Sequence, residues 1–70
     1  MTERLLNRIR EERERMGLTQ AALAQKVGVS RKTINTIENL VFSPSAILAL
    51  KIAHHLDIRF DDLFWISCQD

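Results

Sequence analysis

Within the stretch SRKTINTIEN, residues 30–39, four side chains could bond the edges of nucleic-acid bases: Arg31, Lys32, Asn35 and Thr36. A helix seated in the major groove of double-stranded DNA needs such groups on its outer face, with basic side chains and helix N-termini on the flanking phosphates. Ser30 and Thr33 at the start of that helix meet the second requirement, as do Thr19 and Gln20 at the start of the helix before it. From Arg15 to Ile37 there are four basic residues and no acid, so no carboxylate would repel a phosphate. Alone, SRKTIN would equally suit a solvated helix face behind a good N-cap, and its surroundings must decide.

The elements that position these residues can be read from a recurring device, an apolar residue before an N-cap that packs on the fourth helical residue. Leu18 and Leu23 bracket Thr19, Val29 and Ile34 bracket Ser30, Phe42 and Ile47 bracket Ser43, and Ile58 and Leu63 bracket Arg59. The spacing predicts five helices, over 3–16, 20–27, 31–39, 44–56 with Pro44 at its first position, and 60–65, followed by a tail over 66–70. The expected fold is all-α. Arg59 is a poor cap, although Asp61 and Asp62 suit the helix dipole. The second and third helices are joined by Gly28-Val29-Ser30, the spacing of a helix-turn-helix over 19–39. On the third helix Ile34, Ile37 and Val41 form the inward stripe, which puts Lys32, Asn35, Thr36 and Asn39 on the opposite face. Arg13 falls on a first-helix stripe of Leu5, Leu6, Ile9 and Met16, and Glu38 flanks the inward isoleucines, so the two are expected to form an ion pair.

The segments LTQAALAQKVGVSRKTINTIEN and SPSAILALKIAHHLDIRFDDLFW resemble the DNA-binding domain of the lambdoid phage repressor and Cro proteins, across roughly residues 5–65. The resemblance implies a five-helix, lambda-repressor-like domain in which Gln20 and Asn39 bond phosphates and Arg31, Lys32 and Thr36 face bases, with Asn35 close by. It also implies the Arg13–Glu38 contact. The sequence departs from the family where Leu40 and Val41 replace the Gly and Lys that often follow Glu-Asn, so Asn39 is expected to take the left-handed conformation that ends the helix. Glu12 stands where many members carry a core Leu, and Arg59 where they carry Ser or Thr.

Seventy residues suit one small domain, residues 1–70, that buries only about 60% of its unfolded surface and gains from a partner subunit. The fourth helix is apolar around most of its circumference, and the tail LFWISCQD stays apolar, with β-branched Ile66 able to extend and pair with another strand. These features point to a homodimer anchored by Leu50, Phe64, Trp65 and Ile66; the alternative is a tail folded onto its own core, with dimerisation only on DNA. A two-fold pair would bind an inverted repeat with recognition helices about 34 Å apart. The lone Cys68, the absence of a long apolar run and the charged N-terminus suggest a cytoplasmic protein without disulfide or membrane segment. His54 and His55 point about 100° apart on a helix and cannot share a metal, no catalytic constellation occurs, and neither a cofactor nor enzymatic activity is expected. The function expected is a sequence-specific transcriptional regulator, with repression the preferred mode; the alternative is an antitoxin or protein-interaction module of the same fold, with a protein partner.

Overall fold

The computed structural model describes residues 2–69, so Asp70 at the end of the expected tail lies outside them. In chain order the elements are β1 (Thr2–Asn7), α1 (Ile9–Arg15), α2 (Gln20–Val27), α3 (Arg31–Glu38), α4 (Ala46–His55), α5 (Phe60–Leu63) and β2 (Phe64–Gln69). The five helices stand as expected in number, and a two-stranded antiparallel sheet joins the chain ends, pairing Leu5 with Ile66, Leu6 with Trp65 and Asn7 with Phe64. Residues 2–7 are therefore strand, where a helix from residue 3 was expected. Leu5, Leu6 and Ile9 fit a helical stripe locally, but the β-branched and aromatic partner strand lies nearly the whole chain away and overrides that periodicity. The same pairing ends α5 at Leu63, since Phe64 is already extended at φ −123° and ψ 143°.

Asn7 makes the switch from strand to helix. Its Oδ1 accepts from the Ile9 amide at 3.1 Å, and its Nδ2 donates to the Ile37 carbonyl at 3.1 Å, tying the start of α1 to α3. The core beneath comprises Ile9, Leu23, Ile34, Ile37, Ile52, Leu56 and Leu63, all essentially without solvent exposure, closed by Phe64. Phe64 was expected at a dimer interface and instead fills the protomer's own core; strand alternation turns it inward and leaves Trp65 outward. Met16, expected on the inward stripe of α1, is 42% exposed, because α1 ends at Arg15 and the chain reverses at Gly17.

Four helices end by one mechanism. Gly17, Gly28, Leu40 and Asp57 have positive φ, and the next amide reaches back five residues, from Leu18 to Arg13, Val29 to Ala24, Val41 to Thr36 and Ile58 to Ala53, at 2.9–3.1 Å. In three cases the apolar residue after the left-handed turn packs against the core and also precedes the next helix's cap. The fourth connection differs. Leu40 carries the left-handed conformation expected of Asn39, which stays right-handed at φ −89° and ψ 8°. Val41, expected inward, is 78% exposed because the chain has already turned away from the α3 axis. The next cap is Ser45, whose Oγ accepts from the Leu48 amide at 3.2 Å; the helix starts at Ala46, two residues after the position expected for Pro44. Ile47 consequently points to solvent, 70% exposed, and does not pair with Phe42 across a cap.

A β-carbon at positive φ is crowded against the backbone, which glycine avoids. Leu40→Gly is expected to raise stability by about 0.5–1 kcal/mol, part of the relieved strain being offset by the lost half-buried side chain. A urea midpoint shifted upward at constant m-value checks this; a downward shift would show that Leu40 packing outweighs its backbone strain.

Candidate nucleic-acid interface

The two N-caps around the turn form as expected: Thr19 Oγ1 accepts from the Ala22 amide at 3.0 Å and Ser30 Oγ from the Thr33 amide at 3.2 Å. Gly28, at φ 79°, supplies the left-handed residue that reverses the chain out of α2. Arg31 and Lys32 then stand exposed in the first turn of α3, with Asn35 and Thr36 half-buried one turn on. Neither α2 nor α3 has an acid in its first turn, so the positive ends of both helix dipoles are left open to an anion.

Beneath this surface lies the Arg13–Glu38 pair. Arg13 Nε donates to Glu38 Oε2 at 2.8 Å, its Nη2 to Oε1 at 3.3 Å, and its Nη1 to the Leu18 carbonyl at 2.9 Å. The side chains are 9% and 4% exposed. Hydrogen bonding to Glu38 outweighs burial and raises the Arg13 pKa above the ordinary arginine value, so the guanidinium stays charged throughout the physiological range. The sole acid of SRKTINTIEN is thus neutralised inside the protein.

Gln20 connects this pair to the outer face. Its Nε2 donates to Glu38 Oε1 at 3.1 Å, which fixes the amide orientation and directs Oε1 toward α3. That oxygen accepts from Arg31 at 3.3 Å and from Asn35 at 3.5 Å. The sequence placed these residues on neighbouring surfaces but gave no sign of the relay. Its physical signal was weak: a neutral amide at the first position of α2, opposite an arginine eleven residues later.

The hydroxyls behave differently from the expectation of freely available donors. Ser30 and Thr33 hydroxyls lie 3.0 Å apart and share a hydrogen bond, and Thr36 Oγ1 donates to the Thr33 carbonyl at 2.9 Å. Thr36 can still accept, but its proton is used within the helix. Asn39 is exposed, and its Nδ2 donates to Asn35 Oδ1 at 3.2 Å. The residues brought together are therefore Gln20, Arg31, Asn35 and Asn39 on one side of α3, and Ser30, Lys32, Thr33 and Thr36 on the other; Thr19 caps α2 at the margin. Sequence reasoning missed Asn7, which anchors α3 from below, and the exposed Val41 and Phe42 beside Thr36.

Arg15 pairs with Glu12 at 2.7 Å, which accounts for an acid where a core Leu was expected: Glu12 turns toward Arg15 at the edge of the core. Among the described residues no helix is long and apolar enough to cross a membrane.

Comparison with known proteins gives the same architecture. Residues 9–63 match the helix-turn-helix family. YgzD of Bacillus subtilis, an uncharacterized HTH-type transcriptional regulator, is 40% identical over 61 residues, 87% of this chain and 92% of the relative. An uncharacterized HTH-type transcriptional regulator of Methanothermobacter thermautotrophicus is 54% identical over 57 residues, 80% of this chain and 83% of the relative. The crystal structure of the restriction-modification controller protein C.AhdI from Aeromonas hydrophila superposes with TM-score 0.75 at 36% identity, covering 80% of this chain and 81% of that one. The clp gene regulator ClgR from Corynebacterium glutamicum gives TM-score 0.74 at 26% identity, covering 77% and 57%.

Proposed function

Because the chain belongs to the Cro- and repressor-type helix-turn-helix family of transcriptional regulators, we propose that it is a sequence-specific cytoplasmic repressor that inserts α3 into the major groove of an inverted-repeat operator as a homodimer. The observation that carries this reading is the acid-free first turn of α3, where Arg31 and Lys32 stand outward while Gln20 steadies Arg31 and Asn35 from behind. Arg31, Lys32 and Asn35 read base edges, with Thr36 beside them. The start of α2, with Thr19 and Gln20, the Ser30–Thr33 cap and Asn39 meet the phosphates. Gln20 retains a second amide hydrogen for a phosphate after donating to Glu38.

The dimer is supported by large apolar side chains left in solvent: Leu50 is 56% exposed, Ile66 65% and Trp65 39%. Selection of bound duplexes from random DNA tests both parts of the proposal. A two-fold repeat with half-site centres about 34 Å apart is expected. A single unrepeated motif would remove the dimeric mode, and no enrichment would remove sequence-specific binding. On the selected duplex, Lys32→Ala should relax preference at one position at a cost of about 1–3 kcal/mol, whereas Gln20→Ala should weaken selected and random DNA more evenly.

A further inference from the structure

We propose that the cleft between α3 and the α3–α4 connection reads the 5-methyl group of a thymine, which would make Thr36, Val41 and Phe42 specificity-determining residues. This rests on the proposal that α3 faces the major groove. The cleft is an open hollow of about 330 Å³ lined by Ser30, Lys32, Thr33, Thr36, Val41 and Phe42, so it shares four residues with the candidate DNA surface.

Three observations select its occupant. First, the Thr36 hydroxyl donates back to the Thr33 carbonyl and the Thr33 hydroxyl shares a hydrogen bond with Ser30 Oγ, so both are engaged within the protein beside the methyl group that each threonine carries. Second, Val41 occupies the place after a left-handed turn that Leu18, Val29 and Ile58 fill at the other helix ends. Those three pack against the core, whereas Val41 is 78% exposed and Phe42 50%. The backbone holds both in place, since the Val41 and Phe42 amides donate to the same Thr36 carbonyl at 2.9 and 3.2 Å. Third, Lys32 lies on the cleft rim, where its charge can reach a phosphate or a base acceptor while the walls remain apolar. The thymine methyl is the one apolar group that distinguishes a base pair in the major groove. A cleft of methyl and aromatic walls, continuous with hydrogen-bonding groups on the same helix, is complementary to that edge.

The test uses the full chain and the duplex enriched from random DNA. Each thymine of that duplex is replaced in turn by deoxyuridine, which removes the methyl and leaves every hydrogen-bonding atom. The wild type is expected to lose about five-fold in affinity at one thymine per half-site, about 1 kcal/mol at 1.4 kcal/mol per factor of ten. Thr36→Ser keeps the hydroxyl and deletes only its methyl, and Val41→Ala trims an exposed side chain; each should shrink the discrimination between thymine and uracil at that position toward one-fold. Circular dichroism at the binding temperature establishes that each variant measured is folded. A tightly bound selected duplex with no uracil-sensitive thymine would overturn the inference and leave the DNA-binding proposal standing. Sensitivity that persists undiminished in both variants would also overturn it. Failure to enrich any duplex would remove the proposed function and this inference with it.

Discussion

Arg13→Met is expected to lower the stability of the protein by about 3–5 kcal/mol, the cost typical of breaking a buried ion pair from one side. The side chains are 9% and 4% exposed, so little water can replace the lost partner, and Glu38 is left with only the Gln20 amide. The Leu18 carbonyl also loses its donor. For a domain of this size each kcal/mol displaces the melting temperature by about 4–8 °C, so a fall of more than about 12 °C should be seen by circular dichroism. A variant melting within about 4 °C of the wild type would mean that the pair contributes little. Because hydrogen bonding to Glu38 raises the Arg13 pKa above the ordinary arginine value, this contribution is fully present below the unfolded-state pKa and is lost only at still more alkaline pH, so it should not vary between pH 6 and 9.

If Arg31 reads a base as proposed, the same pair should bear on DNA binding through Gln20. In Arg13→Met/Glu38→Leu no unpaired charge remains buried, and much of the stability lost in the single variant should return. The Gln20 amide, however, loses the acceptor that fixes its orientation, and with it the contact that holds Arg31. Fold and the proposed base reading should thus be separable in this variant.

The helix-turn-helix was legible because its determinants are local. Thr19, Gly28 and Ser30 act within four residues of themselves, and the caps they make are those their spacing requires. The Arg13–Glu38 pair followed from two helix faces meeting at one boundary, although the stripe used for α1 included two residues that belong to β1. What escaped was non-local or conformational. The extended tail was expected around Ile66 and is present as β2, but its partner, residues 2–7, was not, because no window of the sequence contains that pairing. The left-handed residue after α3 falls on Leu40, where composition favours Asn39, and that one-residue difference exposes Val41 and moves the next cap to Ser45. The candidate DNA face was accordingly readable as a set of residues, whereas the hydrogen bonds that engage the threonine hydroxyls within the protein and the cleft beside them depend on the conformation after α3.

Phe64 and Trp65, adjacent on β2, should respond to truncation in different ways. Phe64→Ala removes a ring that is 2% exposed and packs against Phe60 with centroids 5.3 Å apart, and it should cost about 3–5 kcal/mol at any protein concentration. Trp65 lies on the other face of the strand, 39% exposed, opposite Leu6 and with the Arg8 guanidinium 5.4 Å from its ring. Its truncation removes that cation–π contact and part of a half-buried surface, about 1 kcal/mol within the protomer. If Trp65 anchors the proposed homodimer, the wild-type melting temperature should rise with protein concentration, and Trp65→Ala should abolish that rise and sediment as a monomer at micromolar concentration. A wild type that sediments as a monomer there, with melting independent of concentration, would confine dimerisation to the operator. In that case the two recognition helices would be brought into register by the DNA itself, and the exposed Trp65 would serve the sheet that closes the chain ends rather than a second subunit.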